Sequence, residues 1–224
     1  MTQRDLLRNL LRDALAGEAR AVLKQIGQCA AGMLCLFSVA AAQAELAVPS
    51  GRYTVDATHA YITFSYSHLG FSTPHLGFNE FDVTLDLNAL APAESALTVV
   101  INAASIDSRV DEFDEHLRGK EYFHVAQYPK VRFTATQIEM TGENRANITG
   151  DLTIKSTTKP LTLETRIVRA AEHPMLKKPV VGISAFADLK RSEWGLGKYV
   201  PAVGDTVSLY ITAELVHQAV EPAP

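Results

Sequence analysis

The chain has 224 residues, with 21 Lys and Arg against 25 Asp and Glu, a net charge of −4 at pH 7 and a pI near 6.0. An acidic chain with no basic stripe is excluded as a nucleic-acid binder, because phosphates demand clustered cations. Its two cysteines, Cys29 and Cys35, both lie near the N-terminus, so the rest has no thiol or disulfide chemistry.

Residues 26–42, IGQCAAGMLCLFSVAAA, form a mostly apolar run preceded by Arg4, Arg8, Arg12, Arg20 and Lys24. Ala42-Gln43-Ala44 supplies the small-x-small pattern that signal peptidase reads. We therefore expect residues 1–44 to be a signal peptide with an unusually long basic segment, cut after Ala44, that exports the chain to the periplasm. The run is too short and alanine-rich for a confident membrane span. An uncleaved anchor, or a cytoplasmic helix using Leu6, Leu7, Leu10, Leu11 and Leu15, is the alternative. Removing the leader leaves 16 basic against 22 acidic residues, a net of −6.

Residues 45–50 read as a short linker, residues 51–217 as one domain, and residues 218–224 as a disordered tail. Within the domain the hydrophobic period is two, the mark of strands with one apolar face. Ala60, Ile62, Phe64 and Tyr66 share a face. So do Phe81, Val83, Leu85 and Leu87, and then Leu97, Val99 and Ile101. Later strands are expected around Val131–Phe133, Ala146–Ile154, Leu161–Ile167, Val181–Leu189 and Val207–Leu215. Short connections favour antiparallel neighbours. The expected fold is all-β, a lipocalin-like eight-stranded antiparallel barrel with one short helix insert. Closure would remove exposed edges; a two-sheet sandwich is the alternative. Pro160 is expected to begin its strand.

Residues 109–118 interrupt this rhythm. Val110, Phe113 and Leu117 fall at helical spacing, Asp107 or Ser108 can cap the start, and Gly119 can end it. This helix is expected to lie over one end of the barrel. Small inward residues, Ala60, Ala103, Ala135, Ala146, Gly150, Ala185, Ala187 and Ala213, would leave space inside an eight-stranded barrel. A filled core of uneven width explains the same pattern.

Ordered pieces of sequence now carry a resemblance. They include Tyr53-x-x-Asp56-x-x-His59, His68-Leu69-Gly70-Phe71-Ser72, Ala104-Ser105-Ile106-Asp107 and Asp114-x-His116-Leu117-Arg118. Tyr122-Phe123-x-Val125-x-x-Tyr128-Pro129, Thr158-Lys159-Pro160, Arg191-Ser192-x-x-Gly195 and Gly204-Asp205-x-Val207 follow. Over residues 51–216 the chain resembles the YceI-like polyisoprenoid-binding proteins. The resemblance implies a barrel holding one long isoprenoid, a polyprenyl phosphate or a quinone tail, with no enzymatic activity and no cofactor beyond that lipid. The loop with Pro74-His75-Leu76-Gly77-Phe78 departs from the family pattern, its glycine displaced by one.

On this reading Phe64, Tyr66, Phe71, Phe81, Phe133 and Ile211 contact the tail, and His68, His116 and Arg118 form the rim. Arg118 or His116 could meet a polar head, as a guanidinium meets a phosphate. The same residues could simply tie the insert down. His59 reads as a structural residue and no histidine pair has metal-ligand spacing, so no metal is expected. Trp194 could pack at the mouth or in the core. The competing functions are a lipid-modifying enzyme using His116 and Asp114, and a structural or stress-response barrel with a filled core. The expected partner is an isoprenoid lipid, with transient membrane contact compatible and oligomeric state left open.

Overall fold

The computed structural model describes residues 46–219. The leader, its cleavage point and residues 220–224 lie outside them. The strands are β1 (Gly51–Val55), β2 (Tyr61–His68), β3 (His75–Phe78), β4 (Phe81–Leu87), β5 (Ala96–Asn102) and β6 (Ile106–Asp107). After helix α1 (Asp111–Arg118) come β7 (Lys130–Gly142), β8 (Arg145–Ile154), β9 (Thr157–Glu172), β10 (Pro179–Lys190) and β11 (Val203–His217).

Every pairing is antiparallel, and the ring β1-β4-β5-β7-β8-β9-β10-β11 closes where β11 returns to β1. Tyr53 pairs His217 on one side and Leu85 on the other. The expected eight-stranded barrel is therefore the fold. Three further segments, β2, β3 and β6, continue the first strands beyond a shared bend. β2 pairs β11 and β3, and β3 pairs β6.

Polar side chains build that bend. Asp56 Oδ1 accepts from the Thr58 N–H at 2.9 Å and from its hydroxyl at 2.6 Å, an Asx turn that breaks β1 from β2. One position along the sheet, the Ser105 hydroxyl accepts from the Glu80 N–H at 3.0 Å and the Asn79 N–H donates to the Ser105 carbonyl at 3.0 Å. β3, absent from the sequence reading, emerges from this corner.

The two ends of the barrel differ. At one end Leu46 and Val48 are buried, and the Leu46 N–H donates to the Ala89 carbonyl at 3.0 Å. Residues 46–50, expected to be a linker, thus pack against the barrel and help close it. At the other end β9 and β10 pair only as far as Glu164 and Phe186, then separate. This explains Pro160, which lies inside β9 opposite Asp151 rather than starting the strand. Its missing N–H costs nothing on a side with no partner strand. Residues 191–195 hold to the separated ends: the Trp194 indole donates to the Leu152 carbonyl at 3.1 Å, and Lys155 Nζ to the Gly195 carbonyl at 3.0 Å.

α1 starts two residues later than the spacing predicts. Val110 takes the N-cap position with extended backbone and is exposed, so it leaves the expected apolar stripe. The first-turn carboxylate of Asp114, buried, turns back and accepts from the Ser108 N–H at 2.7 Å. Phe113 and Leu117 do face inward, and Gly119 ends the helix.

Candidate functional site

Above the plugged end, the barrel encloses a cavity of about 340 Å³. Phe64, Tyr66, Phe133 and Ile211 line it, as expected, from β2, β7 and β11. Leu152, Ile154, Leu161 and Leu163 form the wall where β9 parts from β10. Phe113, His116 and Leu117 of α1 close over it, joined by Tyr122 and Phe123. Three rings run along one wall, with Phe64 to Phe78 at 5.7 Å and Phe78 to Phe123 at 5.6 Å between centroids. Such tilted and edge-on contacts are favourable beyond area burial.

Polar groups gather at the open end. His68, at the end of β2, lines the mouth with Lys198, Tyr199 and Val203. Lys198 Nζ donates to the Glu121 carboxylate, and His116 Nε2 lies 4.0 Å from the same carboxylate. His116 stacks edge-on with Tyr122 at 5.8 Å. The Lys198 bond holds the Glu121 carboxyl below its ordinary value and raises the Lys198 ammonium. Burial raises the phenols of Tyr66 and Tyr122, so both stay neutral in the lining.

Arg191 organises the mouth from beneath. It is buried, and its guanidinium donates to the carbonyls of Gly204 at 2.8 Å, Val203 at 2.9 Å, Lys198 at 3.0 Å and Leu196. One side chain thereby fixes the whole 196–204 segment in place. Nothing in strand periodicity marks Arg191, Leu196, Lys198, Tyr199, Tyr122 or Phe123 as lining residues, because all sit in loops or turns.

Three expected contacts are corrected. Phe71 is 91% exposed and outside the cavity, because the turn at Leu69 and Gly70 points it outward. Phe81 packs against the core at the bend but does not line the cavity. Arg118 is a tie rather than a rim group: it donates to the Ala104 carbonyl at 2.9 Å, to that of Ile106 at 3.3 Å and to Glu115 at 3.0 Å. The small residues are also elsewhere. None of the eight expected to open the interior lines the cavity, whose walls are large apolar side chains.

Asp114 and His116 do not pair. One faces Ser108 and the other faces Tyr122 and Glu121. Asp56, His59 and Glu214 lie with ligand-type atoms within 4.8 Å of one another at the bend. His59 Nδ1 is 2.9 Å from Asp56 Oδ2 while Asp56 Oδ1 holds Thr58, so this group carries the turn. That bonding lowers the Asp56 carboxyl to about 2.

A closed, bent barrel with an apolar slot open at one polar end is a lipocalin-like build with room for a ligand. The chain belongs to the YceI-like domain family, whose pattern matches residues 53–215. It is 33% identical over 168 residues to protein YceI of Escherichia coli O17:K52:H18, covering 74% of this chain and 87% of that one. A UPF0312 protein of Ectopseudomonas mendocina is 30% identical over the same coverage. Among solved structures, the YceI protein of Campylobacter jejuni superposes with a TM-score of 0.62 at 26% identity, covering 68% of this chain and 90% of that one. Burkholderia cenocepacia BcnA shares the fold with a TM-score of 0.65 at 21% identity, over 73% and 99% of the two chains. A polyisoprenoid-binding domain of Saccharophagus degradans does so at 0.59 and 14%, over 74% and 98%.

Proposed function

We propose that this protein is an exported, periplasmic binding protein that holds the chain of an isoprenoid lipid in its barrel and performs no catalysis. The observation that carries the reading is the cavity itself: large apolar side chains make up most of its walls, and the polar groups among them include the neutral phenols of Tyr66 and Tyr122 and, toward the mouth, His68 and Lys198. Each CH₂ transferred from water contributes about 0.8 kcal/mol, so a branched hydrocarbon gains affinity by burial alone. The polar mouth then orients the head, which is a polyprenyl phosphate or a quinone ring. At about 340 Å³ the cavity is near the lower end of ligand pockets, roughly 300–1,000 Å³. A long chain therefore threads it with part of its length emerging at the mouth. The polyisoprenoid-binding domain with the same fold supports the ligand class, and the leader pattern supports export.

Organic extraction of the purified protein, followed by mass spectrometry, tests the reading. One isoprenoid per chain is expected. A lipid-free protein that takes up neither polyprenyl phosphate nor quinone contradicts it.

A further inference from the structure

Two loop tips beside the mouth expose apolar side chains where folding alone gives no reason for them. Leu69 and Gly70 both have left-handed backbone, φ 54° and 75°, in a tight turn closed by the Phe71 N–H on the His68 carbonyl at 3.0 Å. Gly and Asn are the residues that such a turn favours. A leucine there is penalised by its own backbone, yet it stays 52% exposed, so burial repays only part of the penalty. Next to it stands Phe71, 91% exposed.

The second loop repeats the arrangement. Tyr199 has φ 67° and is exposed, followed by exposed Val200. The loops are joined, the Leu69 N–H donating to the Ala202 carbonyl at 3.1 Å. His68 and Tyr199, within these same loops, line the cavity mouth. Strained backbone that carries half-exposed apolar side chains points to function, and clustered exposed apolar groups mark an interaction surface.

We infer that Leu69, Phe71, Tyr199 and Val200 form a docking edge that dips into a lipid bilayer and sets the cavity mouth against it. The occupant follows from the mouth: if the cargo is an isoprenoid, its source is a membrane, and the apolar tips stand on the two loops whose His68 and Tyr199 line the cavity mouth. This inference rests on the lipid-carrier reading. Contact is brief by design, since four side chains are far from a membrane-spanning element.

A Phe71→Trp variant tests it locally, because the only native tryptophan, Trp194, is buried. With brominated phosphatidylcholine vesicles the added indole should shift to the blue and be quenched, while wild-type emission stays unchanged. Adding Leu69→Asn should lower vesicle partitioning by about tenfold, the factor for withdrawing one large apolar group, while leaving thermal stability equal or higher because the turn is relieved. An unquenched indole overturns the inference, as does a Leu69→Asn variant that partitions like its parent. Extraction of cargo from the same samples reports separately: absence of isoprenoid removes the carrier reading, whatever the indole does.

Discussion

Lys198 donates to the carboxylate of Glu121 at the cavity mouth, joining the segment after α1 to the loop that leads into β11. The two residues are far apart in sequence, and Lys198 is one of the side chains that line the cavity mouth. Removing it should free the two segments. We expect Glu121→Gln to speed ligand exchange roughly two- to fivefold, the scale of an exposed ion pair, with little change in unfolding midpoint. Stopped-flow release of a fluorescent isoprenoid checks this. The Glu121 carboxyl is held below its ordinary value of 4.5, so the bond is complete above that pH and is lost as pH falls through the lowered value. Exchange by the wild type should therefore quicken only in acid, and the variant should show no such step.

Arg191 should be irreplaceable. Its buried guanidinium serves four carbonyls between Leu196 and Gly204. Arg191→Met keeps the apolar stem but leaves those carbonyls without their donor, at a cost of about 3 kcal/mol or more. Arg191→Lys restores charge without the planar fork and should recover only part of the loss. Denaturant unfolding of the three proteins measures the series.

A methyl group on Gly150 should be rejected. An added Cβ would lie 2.5 Å from Phe133 Cζ and 2.5 Å from the Thr134 carbonyl oxygen. The Phe133 ring would have to shift, and the backbone oxygen cannot move cheaply. Gly150→Ala should cost about 1–3 kcal/mol by overpacking and should also lower ligand capacity, since Phe133 lines the cavity. Unfolding and ligand titration of the same variant check both.

Tyr53 sets an alkaline limit. It is fully buried, donates its hydroxyl to the Pro49 carbonyl at 2.7 Å, and burial raises its phenol from 10.0 to about 12. A folded-state value above the unfolded one means that stability is intact below 10.0 and falls as pH rises toward about 12. Tyr53→Phe should be slightly less stable at neutral pH, by about 1 kcal/mol for the lost hydrogen bond, but should flatten the alkaline decline. Thermal midpoints across that range test it.

Strand alternation made the barrel legible, because period-two patterning states which face is inward. It put Phe64, Tyr66, Phe133 and Ile211 on the inward face, where all four line the cavity. Parity says which face a residue is on but not which inward side chains border open space: Phe81 and its cross-strand partner Ile101 sit at one level, yet only Ile101 lines the cavity. Phe71 was misplaced because local turn geometry, not period, decides its direction. Arg191 and Lys198 escaped notice because loops have no period to read. The Arg191-Ser192-x-x-Gly195 piece was visible in the sequence, but its hydrogen bonds run to carbonyls that only the folded chain assembles.

If the lipid chain occupies the barrel interior, filling that interior must displace it. Leu163 lines the cavity on the part of β9 that β10 does not cover, and Trp194 is bonded to the backbone of Leu152 in the same wall. Delipidated wild type and Leu163→Phe should be titrated with a polyprenyl phosphate of defined length, read by Trp194 emission and by bound lipid per chain. The account predicts saturation at one lipid per chain for the wild type, and affinity weakened about tenfold or more in a folded Leu163→Phe protein, where a ring takes the place of the tail. Equal binding by the two proteins, or none by the wild type, would contradict it.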